Sequence, residues 1–229
     1  DDLSPAISGK RMEGLNLRTF LVEALRGKRA KTEHLDGAFY YPEGGIGQIA
    51  DRLAAAVDPA VFQWNCPVTG VCHDHARMTS VTAGGRRWPV DELLVTFSLP
   101  RLIAMLDPPP PSAILDIAAA LRTRHMVLVA LFLDGAPLTA NASLYFPERR
   151  FLFTRVYEPP NRCRAMAPPG KTSLVAEIPC GADWSEKDAW GQEDEALIAG
   201  VAAQMATTGL LDPRRVLYGE VYRMRDAYP

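Results

Sequence analysis

Apolar residues recur along this chain at two periods, and the period changes from segment to segment. Leu17, Phe20, Leu21, Ala24 and Leu25 keep helical spacing, which predicts a helix over 15–26 ending near Gly27. Residues 37–41 read as a strand stopped by Pro42. Gly45-Ile46-Gly47 then opens a helix over 45–57, with Ile49, Leu53, Ala56 and Val57 on its apolar face. Short strands follow at 61–64, 68–72, 77–82, 86–88 and 93–97, with turns at His73-Asp74-His75 and Ala83-Gly84-Gly85. A helix over 99–106 ends at Asp107 and four prolines, 108–111, which form a stiff connector.

The second half begins with a helix over 113–121 and a buried strand over 126–133. Strands 143–146 and 151–157 flank a tight turn at Pro147-Glu148. A Pro-rich loop, 159–169, leads to a strand over 172–178. A long helix over 193–208 points Leu197, Ile198, Val201 and Met205 inward and stops at Gly209. A last strand spans 215–224, and there is no internal repeat. Hairpins mixed with helices, without regular βαβ alternation, predict an α+β fold. It has one mixed, largely antiparallel sheet of about five to seven strands with flanking helices.

Composition adds exclusions. At 229 residues, 48% hydrophobic and 23% charged, the chain can bury a full core without disulfides or a structural metal. A net charge of −2 gives no electrostatic sign of a nucleic-acid or membrane partner. The longest apolar run, Met126–Leu133, is too short to span a bilayer. Four scattered cysteines, Cys66, Cys72, Cys163 and Cys180, read as reduced thiols in a cytoplasmic setting. No signal peptide is expected, and a start at Asp1 without Met suggests an incomplete or processed chain. Charge is uneven: residues 147–171 carry six basic and two acidic side chains, whereas 177–195 carry seven acidic residues and one Lys. This reads as solvated loop charge, or as an anion-facing loop opposed by an acidic helix start.

Three constellations invite chemistry. Gly45–Ala50 fits GxGxxA at a helix start, the setting of a dinucleotide fingerprint, yet 61–71 contains no acidic residue to hold a ribose. It reads as a Gly-rich helix entry near a ligand or as a structural turn. Cys66, Cys72, His73 and His75 are zinc-type ligands without a standard spacing, and no metal is expected. Phe151, Phe153, Arg155 and Tyr157 share a strand face by period 2, either as a planar-ligand platform or as an ordinary aromatic sheet face with a snorkelling Arg. No nucleophile elbow, P-loop, HExxH or CxxC occurs, and His125 reads as a structural histidine.

The order of segments resembles the flavin-dependent amine oxidase superfamily, on the branch of protoporphyrinogen-oxidase-like and UDP-galactopyranose-mutase-like proteins. The resemblance is carried by FYYPEGGIG at 39–47, VTGV at 68–71, DELLVTFSLP at 91–100 and LDPPPP at 106–111. It continues through RVYEPPN at 155–161, MAPPGKTSL at 166–174 and the AYP at 227–229. It implies the central portion of an FAD-dependent oxidoreductase, without the family's first GxGxxG strand and last flavin segment. Residues 37–106 then include strands of the FAD domain, and 107–229 are mostly substrate-binding domain. The resemblance places Val68 beside the adenine and Thr96 near the flavin, although Ser98 stands where the family commonly has Pro. It places Gly44, Gly45 and Gly47 near the flavin and the substrate cavity, Tyr145 and Arg155 on strands facing that cavity, and Asn161 on the adjoining loop as a further substrate-binding residue. It implies FAD in the intact protein, little retained by this chain alone, and a planar or anionic small-molecule substrate. Catalytic residues and oligomeric state stay open. So do two other functions: a mutase-like flavin enzyme acting on a nucleotide sugar, and a non-enzymatic binding domain.

Overall fold

Among the described residues two separate β-sheets are formed, where a single sheet is expected. The computed structural model describes residues 40–181 and 189–228, and residues 42–229 form one compact unit. The expected helix over 15–26 lies outside the described residues. So does most of the strand at 37–41, and Tyr40 and Tyr41 are not in a strand.

The unit opens with helix α1 (Gly47–Ala55) and continues into a four-stranded sheet. Strands β1 (Val68–His73), β2 (Met78–Ala83) and β3 (Arg86–Pro89) form an antiparallel meander. Helix α2 (Leu99–Ala104) then feeds β4 (Leu106–Asp107), which lies parallel to β1. Helix α3 (Ser112–Ala120) links to the second sheet. That sheet holds β5 (Arg124–Asp134), β6 (Leu144–Tyr145), β7 (Arg155–Tyr157), β8 (Lys171–Cys180) and β9 (Val216–Tyr228), in the order β6-β7-β8-β5-β9 and wholly antiparallel. Helix α4 (Asp194–Thr207) packs on one face of it.

The core lies between α4 and this sheet. Val127, Val129, Leu131 and Leu133 of β5 alternate towards it, as do Leu174, Ala176 and Ile178 of β8. They meet Leu197, Val201 and Met205 of α4, the face that helical spacing predicts, with Ile198 half-buried beside them. Thr208 ends the helix, and Gly209 follows at φ +74°, a left-handed position that glycine takes without a Cβ clash. Gly219 of β9 is needed for a different reason. A Cβ there would come within 2.8 Å of Ile198 Cγ1 and Cγ2, a branched side chain with little rotamer freedom. Gly219→Ala is therefore expected to cost about 1–3 kcal/mol through overpacking. A urea midpoint equal to that of the parent chain would show that α4 can move away from β9.

Three expected elements differ. Residues 61–64 are not a strand: Asp58 accepts the Ala60 N–H (2.9 Å) and Pro59 starts a 3-10 turn over Pro59–Val61. Phe62 and Trp64 stack just beyond it, with ring centroids 5.2 Å apart. Residues 93–97 alternate half-buried and exposed as a strand would, but have no ladder partner among the described residues, and Leu94 is 93% exposed. Residues 151–154 are irregular, so only 155–157 of the expected strand pairs with β8.

That irregularity decides the aromatic cluster. A break in the pleat exchanges faces for everything beyond it. Phe153 is fully buried in the α4 core and makes edge contacts with Phe146, with ring centroids 5.0 Å apart. Phe151 packs against the same ring at 4.9 Å. The four-residue platform of Phe151, Phe153, Arg155 and Tyr157 is therefore not formed.

Candidate functional site

The face of the five-stranded sheet opposite α4 carries a row of polar and aromatic side chains. Register partners across a sheet share a face, and here Tyr145 pairs with Arg155, Arg155 with Glu177, Glu177 with Leu128 and Leu128 with Tyr222. The neighbouring rows bring Phe132 and Tyr218, stacked at 4.3 Å, and Tyr157. Tyr145, Tyr218 and Tyr222 are each more than half exposed.

Arg155 is not a free cation on this face. Its Nε donates to Glu177 Oε2 (2.8 Å) and its Nη2 to Glu177 Oε1, a two-pronged pair with the carboxylate. The bond to Glu177 holds the guanidinium pKa above its ordinary value, partial burial opposes this, and the Tyr145 hydroxyl adds a smaller contribution in the same direction. Glu177 is buried, so it does not belong to the solvated acidic run of 177–195. The guanidinium of Arg155 also lies 5.6 Å from the Tyr157 ring centroid, and Arg162 lies 5.0 Å from the same ring.

Arg162 leads from the sheet face into an open cleft of about 1040 Å3. One wall is the segment 136–140, the other the loop 160–171 after β7. The buried carboxylate of Glu158 accepts the N–H groups of Leu138 (2.8 Å) and Thr139 (2.9 Å) and pins the first wall. Asn161 Nδ2 donates to the carbonyls of Thr139 (2.9 Å) and Asn141 (3.0 Å). The Gly135 N–H donates to Gly170 (2.8 Å), and Arg215 grips the carbonyls of Asp134 (2.7 Å) and Ala136. Asn161 thus lines the cleft while its amide nitrogen is spent on holding the wall. Tyr145 and Arg155 do not line it.

The Gly-rich turn meets the same loop. Gly44 (φ +86°) and Gly45 (φ +109°) are left-handed, and the Gly45 N–H donates to Pro42 (3.0 Å). Gly45 is buried, and a Cβ on it would sit 3.4 Å from Met166 Cε. A Cβ on Gly47, the first residue of α1, would meet nothing within 4 Å, so crowding does not require glycine there. Ile46 caps the helix without a side-chain bond. The turn does not make a complete pyrophosphate cradle, because Gly47 is not closely approached and 61–71 supplies no acidic partner for a ribose. Val68 is half-buried at the start of β1, opposite Ala83, and Thr96 is exposed on the unpaired segment. The structure thus gathers Tyr145 and Arg155 on one sheet face, sets Asn161 on the adjoining cleft and brings Gly45 to Met166 of the cleft loop.

Cys66, Cys72, His73 and His75 belong to no cluster of three potential metal ligands among the described residues. His73 Nδ1 accepts the His75 N–H (3.1 Å), which leaves Nε2 to donate to the Pro108 carbonyl (2.8 Å). All four cysteines are free thiols. His125 is buried, and its Nδ1 accepts the Asp226 N–H (2.9 Å), a structural role. No helix among the described residues is long and apolar enough to cross a membrane.

A meander sheet joined to an antiparallel sheet with α4 on one face is an arrangement similar to that of several solved structures. A reduced UDP-galactopyranose mutase superposes with a TM-score of 0.70 at 21% identity, over 82% of this chain and 40% of that one. An oxidoreductase from Methanosarcina mazei gives 0.61 at 17%, over 82% and 44%. Cyclohexylamine oxidase from Brevibacterium oxydans gives 0.55 at 13%, over 80% and 39%. The chain spans about two fifths of the length of these structures. The chain belongs to the flavin containing amine oxidoreductase family, whose model matches residues 13–217. No curated protein matches it.

Proposed function

We propose that residues 107–229 form the substrate-binding part of an FAD-dependent oxidoreductase, and that the open face of the five-stranded sheet borders the substrate. The observation that carries this is the Tyr145-Arg155-Glu177 row on the sheet face opposite the α4 core, where Tyr145, Tyr218 and Tyr222 stay more than half exposed. In such an enzyme the flavin supplies the hydride chemistry, and the protein binds, orients and keeps water from the reacting bond. Gly44, Gly45 and Gly47 would approach the cofactor with their backbone, with Val68 and Thr96 also on its side. Tyr145, Arg155 and Asn161 belong to the substrate side. Arg155, already neutralised by Glu177, orients more than it attracts.

Apolar exposure supports a further flavin-domain surface on residues 46–94. Ile46, Ile49, Leu53, Val61, Trp64 and Leu94 are all exposed, more than scattered surface apolar residues account for. The apolar face expected for α1 is present in sequence but is not buried. The visible spectrum tests the reading. The full-length gene product is expected to purify with the two flavin bands, whereas residues 1–229 incubated with FAD and desalted should keep almost none. A colourless full-length product that takes up no FAD would refute the oxidoreductase reading. Stoichiometric retention by residues 1–229 would restore the dinucleotide reading of Gly45–Ala50.

A further inference from the structure

We infer that the cleft between 136–140 and 160–171 is a binding site for the diphosphate group of a small organic molecule. This site stands independently of the flavin reading, since it is built wholly from one loop pair of this chain. Its described lining contains Arg162, Arg164 and Lys171 and no acidic side chain. Lys171 is neutralised by Asp134, to which its Nζ donates at 2.6 Å, and that bond holds the Asp134 carboxyl below its usual range. Arg162 and Arg164 have no ion-pair partner among the described residues.

Two unpaired guanidinium forks, two residues apart in sequence, suit two phosphoryl groups better than one. Each fork can donate two parallel bonds to one phosphoryl. The site is also preorganised. Arg162 is stacked on Tyr157, and the walls are fixed by Glu158, Asn161, Arg215 and the Gly135–Gly170 bond. Fixed walls reduce the ordering cost that an exposed Arg cluster normally imposes on binding. The cleft is larger than an inorganic diphosphate needs, and Ala136, Pro137, Ala140 and Pro160 supply apolar wall for an organic remainder.

The test is calorimetric titration of residues 1–229 with inorganic pyrophosphate, with phosphate and succinate as comparison ligands. Pyrophosphate is expected to bind at least about tenfold more tightly than either, and to weaken as salt rises. The double variant R162Q/R164Q should lower pyrophosphate affinity at least about tenfold, and R162K/R164K should lower it less, since charge remains but the forks are lost. R214Q, outside the cleft, should leave it unchanged, and thermal melts check that each variant is folded. Equal affinity for the three anions, no binding, or a folded double glutamine variant that binds like the parent would each overturn the assignment.

Discussion

Phe153→Ala is expected to destabilise the chain by about 3–5 kcal/mol, the usual cost of emptying a fully buried aromatic site. Phe153 has no exposed surface and sits among Phe146, Phe151 and the α4 core. The lost area and the cavity left behind add, because the β7–β8 pairing on one side and α4 on the other limit how far the site can collapse. Chemical denaturation monitored by far-UV circular dichroism measures it. The outcome also separates two roles for the aromatic residues. A ring on a ligand platform would tolerate truncation with a loss below about 1 kcal/mol, as surface substitutions do. A change that small would put Phe153 back on the open face.

Glu177→Gln is expected to cost about 3 kcal/mol, the lower end of the about 3–5 kcal/mol seen when one partner of a buried ion pair is removed. The lower end applies because the Arg155 side chain keeps 31% of its surface exposed and water can partly rescue the guanidinium. Arg155→Lys should cost less than Glu177→Gln. It keeps the charge but gives up the two-pronged geometry, which a single ammonium cannot reproduce. In the full-length enzyme, Arg155→Lys is expected to raise KM more than it lowers kcat, as loss of ground-state orientation does. Glu177→Gln should act in the same direction through Arg155. Unchanged melting of the Glu177 variant would mean that the pair contributes no net stability. Unchanged kinetics in both variants would remove Arg155 from the substrate side.

Much of this could be read from the residues. The strong periods gave α4 with its inward face, β5, β8 and the β1–β2–β3 meander, because long periodic segments leave little choice of partner. A tight turn at Pro147-Glu148 would have set Tyr145 opposite Arg150; the connection is instead the irregular stretch 146–154, turning at 148–151, and Tyr145 meets Arg155 because β7 takes its place beside β8. Local pattern failed where a tertiary partner decided the outcome. Residues 93–97 have a strand's alternation, but a strand exists only if another strand accepts its ladder. At 151–154 the apolar period continues while the backbone departs from the pleat, so Phe153 changed faces. Glu177 was missed because its partner lies 22 residues away. A signal for it was nevertheless present: an ionisable residue in the middle of the apolar run Leu174–Ile178 must find an opposite charge when buried. The free charge in the cleft was hidden for a related reason. Sequence counts the six basic residues of 147–171 alike, whereas structure separates the paired Arg155 and Lys171 from the unpaired Arg162 and Arg164.

A crystal structure of the full-length gene product with its cofactor decides whether the sheet face borders the substrate. Flavin density is expected along the Gly44–Gly47 turn, with the sheet face of Tyr145, Arg155 and Tyr222 forming a wall of the cavity beside its ring. Flavin density remote from that turn, or that face buried under other polypeptide with no cavity against it, would remove both from the site.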